Sequence, residues 1–264
     1  MNVNLPFAAV SAAELIIQLE RLALHTWPAS STVVSGPWMY RVSGGITKRA
    51  NSVWTAAGPS FPDGDWLAEA EQYYREREQP VLFHISDASP RALDEALAAN
   101  GYAKEVPCSV LVARTDTVVA NTGTDDAHPF RVTVRPQYDE AWLSSFLRME
   151  GFGEERRAFY RQLFAQLTPL AGFFMLELDG RSAAVGTSVV EEGWAGFINI
   201  AVDASLRGQG IGRRLLNEMA VWSRCSGAEG LYLQVADDNE AALRLYAKAG
   251  YTRLYRYHYR CKNI

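Results

Sequence analysis

An α/β protein made of two units is the architecture this sequence predicts, on three observations. Strand-like and helix-like runs alternate along its 264 residues. A polar stretch near the middle, DTVVANTGTDDAHP (116–129), has turn chemistry at Asn121, Gly123 and Pro129 and no sustained apolar period, so it reads as a linker. The two sides of that linker also rhyme. VLFHISDASPRALDEALAANGY from Val81 lines up with LYLQVADDNEAALRLYAKAGY from Leu231, with one residue inserted and a shared closing Gly-Tyr (Gly101-Tyr102, Gly250-Tyr251). Strand, acidic turn, helix and Gly-Tyr in the same order predict an internal duplication. The expected domains are therefore 1–115 and 130–264, a comfortable length for two.

Each element follows from local pattern. The first half opens with a helix from about Ala12 to His25, then a hairpin, WMYRVSGGITKRANSVW, turning at Gly44-Gly45. A helix through WLAEAEQYYRE, strand VLFHI, helix PRALDEALAA and strand EVPCSVLVA follow. The second half gives strand RVTVR and helices YDEAWLSSFLRM and EERRAFYRQLFAQL. Next come the strands GFFMLEL, AAVGTSVV and GFINIAV, with turns DGR and EEG between them. After a glycine loop come a helix through Ser223, strand LYLQV, a helix from about Asn239 to Ala249 and the strand YTRLYRYHYRC. In that last strand Tyr255, Tyr257 and Tyr259 alternate with Arg256, His258 and Arg260, one packed face and one solvated face.

Composition removes several function classes. Apolar residues at 48 % and charged residues at 21 % are an ordinary globular mixture. A net charge of −4 gives no general pull toward nucleic acid or an anionic membrane, and no apolar run approaches a membrane span. The N-terminus has no basic start before its apolar residues, so no signal peptide is expected. Three scattered cysteines (Cys108, Cys225, Cys261) point to a reducing, cytoplasmic setting and to buried hydrophobes rather than nucleophiles. His25, His84, His128 and His258 share no ligand spacing, so no metal is expected.

The informative stretch is LRGQGIG (206–212), which opens a helix after FINIAV. A helix N-terminus leaves N–H groups unpaired and carries partial positive charge, and glycines let backbone approach a phosphate closely. A Walker-type loop would need Lys-Ser/Thr after Gly212, where Arg213-Arg214 stand. A dinucleotide fingerprint would need Gly-x-Gly-x-x-Gly and an acid ending the next strand; the spacing here is Gly-x-Gly-x-Gly and LYLQV ends without one. In its wider setting, Arg207-Gly208-Gln209-Gly210-Ile211-Gly212 resembles the pyrophosphate loop of the GCN5-related N-acetyltransferases (GNAT). Downstream, Asn239, Ala242, Leu245, Tyr246, Lys248, Gly250 and Tyr251 resemble that family's second motif. The two motifs stand in the family's order, and the resemblance covers roughly 130–264.

That resemblance implies two GNAT-like units, each a mixed, mostly antiparallel sheet flanked by helices, with acetyl-CoA as co-substrate. The backbone N–H groups from Arg207 to Arg213 would cradle the pyrophosphate, with Arg207, Arg213 or Arg214 adding charge. It places the main chain of Ile200, Ala201 and Val202, on a bulged and splayed strand, beside the pantetheine arm. Asn239 would cap its helix and touch the same arm. Tyr246 would protonate the departing thiolate. Relatives that acetylate protein N-termini use a Glu where Gln234 stands, and others a Glu where Gly196 stands. No base is readable on those strands; Asn199, Glu150 or Glu154 could instead orient a water, and Glu150, Glu154, Glu191 and Glu192 are the carboxylates to consider as a dedicated base.

The first half lacks this equipment. TAAGPSFPDG (55–64) replaces the loop, and Ala96 occupies the place of Tyr246. Trp38, Tyr40, Arg41, Arg49 and Asn51 either contribute to an acceptor site or pack and cap their hairpin. The expected activity is acetyl transfer to a primary amine, of a small molecule in preference to a protein, by direct attack in a ternary complex. The alternatives are an acyl-CoA-binding sensor or scaffold without catalysis, and a protein N-terminal or lysine acetyltransferase. The expected state is a monomer or weak dimer.

Overall fold

The computed structural model of the protein describes residues 11–123 and 130–263. In chain order the elements begin with α1 (Ala12–Thr26), β1 (Ser31–Ser35), β2 (Trp38–Val42), β3 (Val53–Trp54) and α2 (Trp66–Arg75). They continue with β4 (Val81–Ser86), α3 (Leu93–Ala99), β5 (Ala103–Arg114) and α4 (Thr115–Thr122). Then come β6 (Arg131–Arg135), α5 (Glu140–Glu150), α6 (Arg157–Ala165), β7 (Leu170–Leu178) and β8 (Arg181–Glu191). The chain ends with β9 (Trp194–Val202), α7 (Ile211–Cys225), β10 (Gly230–Ala236), α8 (Glu240–Ala249) and β11 (Thr252–Lys262).

Compactness divides the chain at Val110/Leu111 and again at Arg253/Leu254, not at 116–129. Residues 115–122 form a helix where a linker was expected. Thr115, Val118 and Thr122 fall at helical spacing and are buried, while Thr115 Oγ1 donates to the Ala228 carbonyl at 2.8 Å and Asn121 Nδ2 to Ala249 at 3.3 Å. A stripe of three residues ending at a glycine is too short to stand out by period alone. Residues 124–129 of that stretch, His128 included, lie outside the described residues.

In the N-terminal unit the strand order is β1-β2-β3-β4-β11, with β3 parallel to β4 and the other pairs antiparallel. β1, STVVS, is exposed on both faces and carries no alternation, which is why sequence pattern missed it. The last strand of the chain belongs here: β11 pairs with β4 from Tyr257↔Ser86 to Lys262↔Val81. Its three tyrosines are each 3 % exposed, and Asp94 receives Nε of Arg260 and pairs with Nε2 of His258, both at 2.7 Å. The core gathers Trp38, Tyr74, Phe83, Leu93 and Leu97.

The hairpin side chains are spent on their own unit. Arg41 is buried and donates to the Arg49 carbonyl at 2.6 Å and to the Trp27 carbonyl. The Arg49 guanidinium lies 4.7 Å from the Trp27 ring centroid. Asn51 Oδ1 accepts from the Ser43 and Gly45 N–H groups at 2.6 and 2.9 Å, closing the Gly44-Gly45 turn. Packing and capping account for these residues.

In the C-terminal unit the order is β10-β9-β8-β7-β6, parallel between β10 and β9 and antiparallel elsewhere. Asp139 caps α5 by accepting from the Trp142 N–H at 2.8 Å, and Trp142 Nε1 donates to the Phe174 carbonyl at 2.8 Å, fixing α5 on β7. The core of this unit includes Phe174, Leu215, Leu216, Met219 and Leu231. Cys225, at the end of α7, is exposed rather than buried because it stands on the outer face of a last turn whose buried residue is Ser223; Cys108 is buried as expected. No helix among the described residues is long and apolar enough to cross a membrane.

Candidate active site

The site begins with a fault in β9. Its register with β8 runs Thr187↔Ile198 and then Val185↔Ala201, so Asn199 and Ile200 together face the single residue Gly186. The extra residue is accommodated by Asn199 at φ +55°, a left-handed conformation that Asn tolerates better than most side chains. On its other side β9 pairs with β10 only from Trp194↔Gly230 to Phe197↔Leu233. Beyond Phe197 the two parallel strands no longer pair, and Ile200, Ala201 and Val202 line a cleft.

The glycine loop forms the next wall. Gly208 and Gly210 take φ +79° and +81°, and nothing lies within 4 Å of where a Cβ would sit on either. Gly210 is the N-cap of the fifteen-residue α7 and offers no side chain to it. The first bond into the helix is Arg214 N–H to the Gly210 carbonyl at 3.0 Å, so the N–H groups of Ile211, Gly212 and Arg213 precede the intrahelical ladder. Gly212 has a different use. A Cβ there would stand 3.1 Å from Leu245 Cδ2, so its absence lets α7 approach α8.

α8 supplies the third wall. Asn239 Oδ1 accepts from the Ala242 N–H at 3.1 Å, capping the helix as expected. Two turns on, Tyr246 is 7 % exposed, its ring 5.8 Å from that of Tyr251, and it lines the cleft. Burial, and then the charge of Glu150, push its hydroxyl pKa well above that of a free tyrosine, so it keeps its proton at any working pH. Glu150 ends α5, immediately before Gly151 turns the chain at φ +69°. Partial desolvation raises its carboxyl pKa, and Arg207 opposes the rise.

These walls enclose a cleft of about 680 Å³. Of the residues expected to hold the cofactor, Ile200, Ala201, Val202, Arg207, Gly208, Gly210, Ile211, Gly212, Arg213 and Asn239 line it, and so does Tyr246. Gln209 does not; it is exposed at the tip of the loop. Arg213 donates to the Thr122 carbonyl at 3.3 Å and to that of Gly123, tying the end of α4 to the start of α7. Arg214 pairs with Glu218 at 2.7 Å. Sequence pattern missed Asn121 and Thr122, which α4 brings to the cleft edge; the only signal was the spacing of 115, 118 and 122.

The carboxylates separate cleanly. Glu154 is bound by Arg157, at 2.5 Å to Nε and 2.8 Å to Nη2, and is exposed. Glu191 ends β8 opposite Trp194 and Glu192 follows it in the turn, so at about 3.3 Å per residue both lie at the far end of β9, on the order of 20 Å from Ile200. Gly196 sits opposite Tyr232 in the paired part of the sheet, before the strands part. Among the described residues Glu150 is the one carboxylate lining the cleft.

Among the described residues of the N-terminal unit, the corresponding strands are held together. β3 and β4 pair at Val53↔Phe83 and Trp54↔His84, and the chain after β3 is then stitched to the chain after β4. Thr55 Oγ1 bonds the His84 carbonyl at 2.6 Å and Ser89 Oγ at 2.7 Å, and the Gly58 N–H reaches the Ala88 carbonyl at 3.1 Å. Ala96 stands on α3 where α8 carries Tyr246. His84, in line with Gln234, is buried against Glu20 at 2.9 Å.

A bulged strand parting from its parallel neighbour, a glycine-capped helix beside it and a tyrosine on the following helix define an acyltransferase of the GNAT class. Residues 13–260 match the family described as "Probable histone acetyltransferase Rv0428c C-terminal", and the chain belongs to that family of GNAT-fold N-acetyltransferases. It is 37 % identical over 247 residues to a Bacillus subtilis protein named "Uncharacterized N-acetyltransferase YobR", covering 94 % of this chain and 98 % of that one. A GCN5-related N-acetyltransferase from Kribbella flavida shares the fold at a TM-score of 0.68 and 14 % identity, over 94 % of this chain and 95 % of that one. A tandem GNAT protein from the clavulanic acid biosynthesis pathway does so at 0.65 and 14 %, over 92 % and 87 %. The protein is thus an N-acetyltransferase, and the family implies acetyl-CoA as its co-substrate.

The residues present fit that co-substrate. Gly210 leaves space and unladdered N–H groups where a pyrophosphate would lie, and Asn199 Nδ2 is buried without a protein partner on the strand that would meet the pantetheine arm.

Proposed function

We propose that the protein transfers acetyl from acetyl-CoA to a primary amine of a small molecule, by direct attack with both substrates bound. The observation that carries this is the meeting of the glycine-capped N-terminus of α7, the freed main chain of β9 and Tyr246 in one cleft. Acetyl-CoA supplies the thioester carbonyl that the amine attacks. The N–H groups at the start of α7 hold the pyrophosphate by charge-assisted hydrogen bonds, and a main-chain N–H of Ile200–Val202 stabilises the carbonyl oxygen as it gains charge. Tyr246 gives its proton to the sulfur as the C–S bond breaks. The small-molecule reading is supported by Gln234. Where the family's N-terminal acetyltransferases carry a Glu, this strand carries an amide that takes no proton.

The test is thiol release from acetyl-CoA across a panel of alkylamines, aminoglycosides and peptides. Turnover is expected with small amines and not with peptides. Turnover confined to peptides overturns the acceptor class, and acetyl-CoA binding without turnover on any acceptor overturns catalysis.

A further inference from the structure

A transferase acting on alkylamines has a proton to remove before it can form a bond. Such an amine has a pKa near ~10.4 and arrives as an ammonium with no lone pair to attack. The motif residues do not remove it. Tyr246 is buried and protonated, Asn239 is engaged in capping, and Arg207 is a cation.

Among the described residues, the one carboxylate that lines the cleft is Glu150. It reaches the cleft from α5, whereas Tyr246 reaches it from α8 and Arg207 from the loop after β9. Its partners in the same region are accounted for. Arg148, on its own helix, pairs with Asp203, and Glu154, beyond the turn, is held by Arg157. The charged or titratable groups facing it are Arg207 and Tyr246, and Arg213, Arg244 and Lys248 line the same cleft. Glu150 and Tyr246 are close enough for the carboxylate's charge to raise the phenol's pKa.

We infer that Glu150 is the general base of the transfer, taking the proton from the acceptor ammonium in the cleft where Tyr246 protonates the leaving sulfur. This rests on the transferase reading above. The protons balance. One passes from the ammonium to the Glu150 carboxylate and on to water, freeing the lone pair that forms the C–N bond. As the C–S bond breaks, Tyr246 gives a proton to the sulfur, and the second proton leaving nitrogen replaces it. One proton per turnover appears in solution.

Partial desolvation helps, because a carboxylate of raised pKa lies closer to the amine it must deprotonate. Glu150→Gln keeps the size and removes the base. For an alkylamine, wild-type kcat/KM should rise through the raised pKa of Glu150 and then level off well below the amine pKa. The variant should fall by roughly a hundredfold to ten-thousandfold at pH 7 and rise steadily toward the amine pKa of about 10.4. Glu150→Asp should retain the plateau at reduced rate.

The deciding comparison uses an acceptor already neutral at the assay pH, such as trifluoroethylamine. With it the defect of Glu150→Gln should nearly vanish. Two readouts stand apart from turnover: calorimetric acetyl-CoA affinity should be unchanged in Glu150→Gln, and ¹³C-carboxyl NMR should show a glutamate with a raised pKa that this variant lacks. A defect equal for alkylamine and neutral acceptor, or a pH profile unchanged by the substitution, overturns the assignment while leaving the transferase reading intact. A wild type that releases no thiol with any acceptor overturns the transferase reading and this assignment with it.

Discussion

Tyr246 owes its proton to its position: 7 % exposed on α8, beside Tyr251 and within the field of Glu150. A phenol in such a place resists ionising, which makes it a poor base and a reliable acid while a thiolate departs. Tyr246→Phe preserves the ring, its contact with Tyr251 and the cleft wall, and deletes only the donor. Turnover should drop by roughly a hundredfold to ten-thousandfold, the usual worth of a positioned acid, with acetyl-CoA affinity nearly unchanged by calorimetry. Equal turnover in the variant would return Tyr246 to a packing role. The same logic separates the glycines of one motif. Gly210 offers open space and a left-handed N-cap to an anion, whereas Gly212 serves the seating of α7 on Leu245.

Among the elements, β11 shows how a strand can lie far in sequence from the residues that hold it. It pairs with β4, and Asp94 on α3 grips Arg260 and His258 while Glu71 on α2 holds Lys262 at 3.0 Å. The hydrogen bond from Arg260, then that from His258, hold the Asp94 pKa down to about 2 against an ordinary 3.8. The folded pKa is depressed, so this contribution to stability is fully present above pH 3.8 and is lost as pH falls through about 2. Asp94→Asn should lower the urea midpoint at pH 6, and the gap to wild type should close as pH approaches 2. A gap constant with pH would remove the carboxylate from the account. β11 also marks the limit of what sequence pattern gives. Its alternation announced a half-packed strand, but strand pairing across more than a hundred and fifty residues leaves no local signature. The bulge at Asn199 also has no local signature, because one inserted residue is visible only against a partner's register; the family resemblance alone led to its expectation. By contrast the glycine loop and the Asn239 cap were legible, since each acts through the local geometry of its own helix end, and the place of Tyr246 on the cleft wall followed from the family motif. Glu150, Glu154, Glu191 and Glu192 could not be ranked before the direction of β9 and the Arg157 pairings were known.

For the molecule as a whole, the duplication raises the question of how many cofactors one chain holds. The C-terminal unit presents a helix N-terminus capped by a glycine. In the N-terminal unit the corresponding helix α2 is capped by Asp65, whose carboxylate accepts from the Ala68 N–H at 3.1 Å and would repel an anion. Pro59 and Pro62 in the same loop lack N–H donors, and Thr55 and Gly58 close the gap between the strands. Calorimetric titration should therefore find one acetyl-CoA per chain. Gly210→Asp should abolish binding, since it places a side chain and a negative charge where the pyrophosphate approaches. Gly210→Asn keeps the left-handed cap without the charge and should bind more weakly than wild type but measurably. The loop in the other unit needs a control that does not strain it. Gly58, at φ +118°, is a poor choice, whereas exposed Ser60→Asp adds the same charge without that cost and should leave binding intact. Two cofactors per chain, or affinity that survives Gly210→Asp, would place the phosphate site somewhere other than the N-terminus of α7.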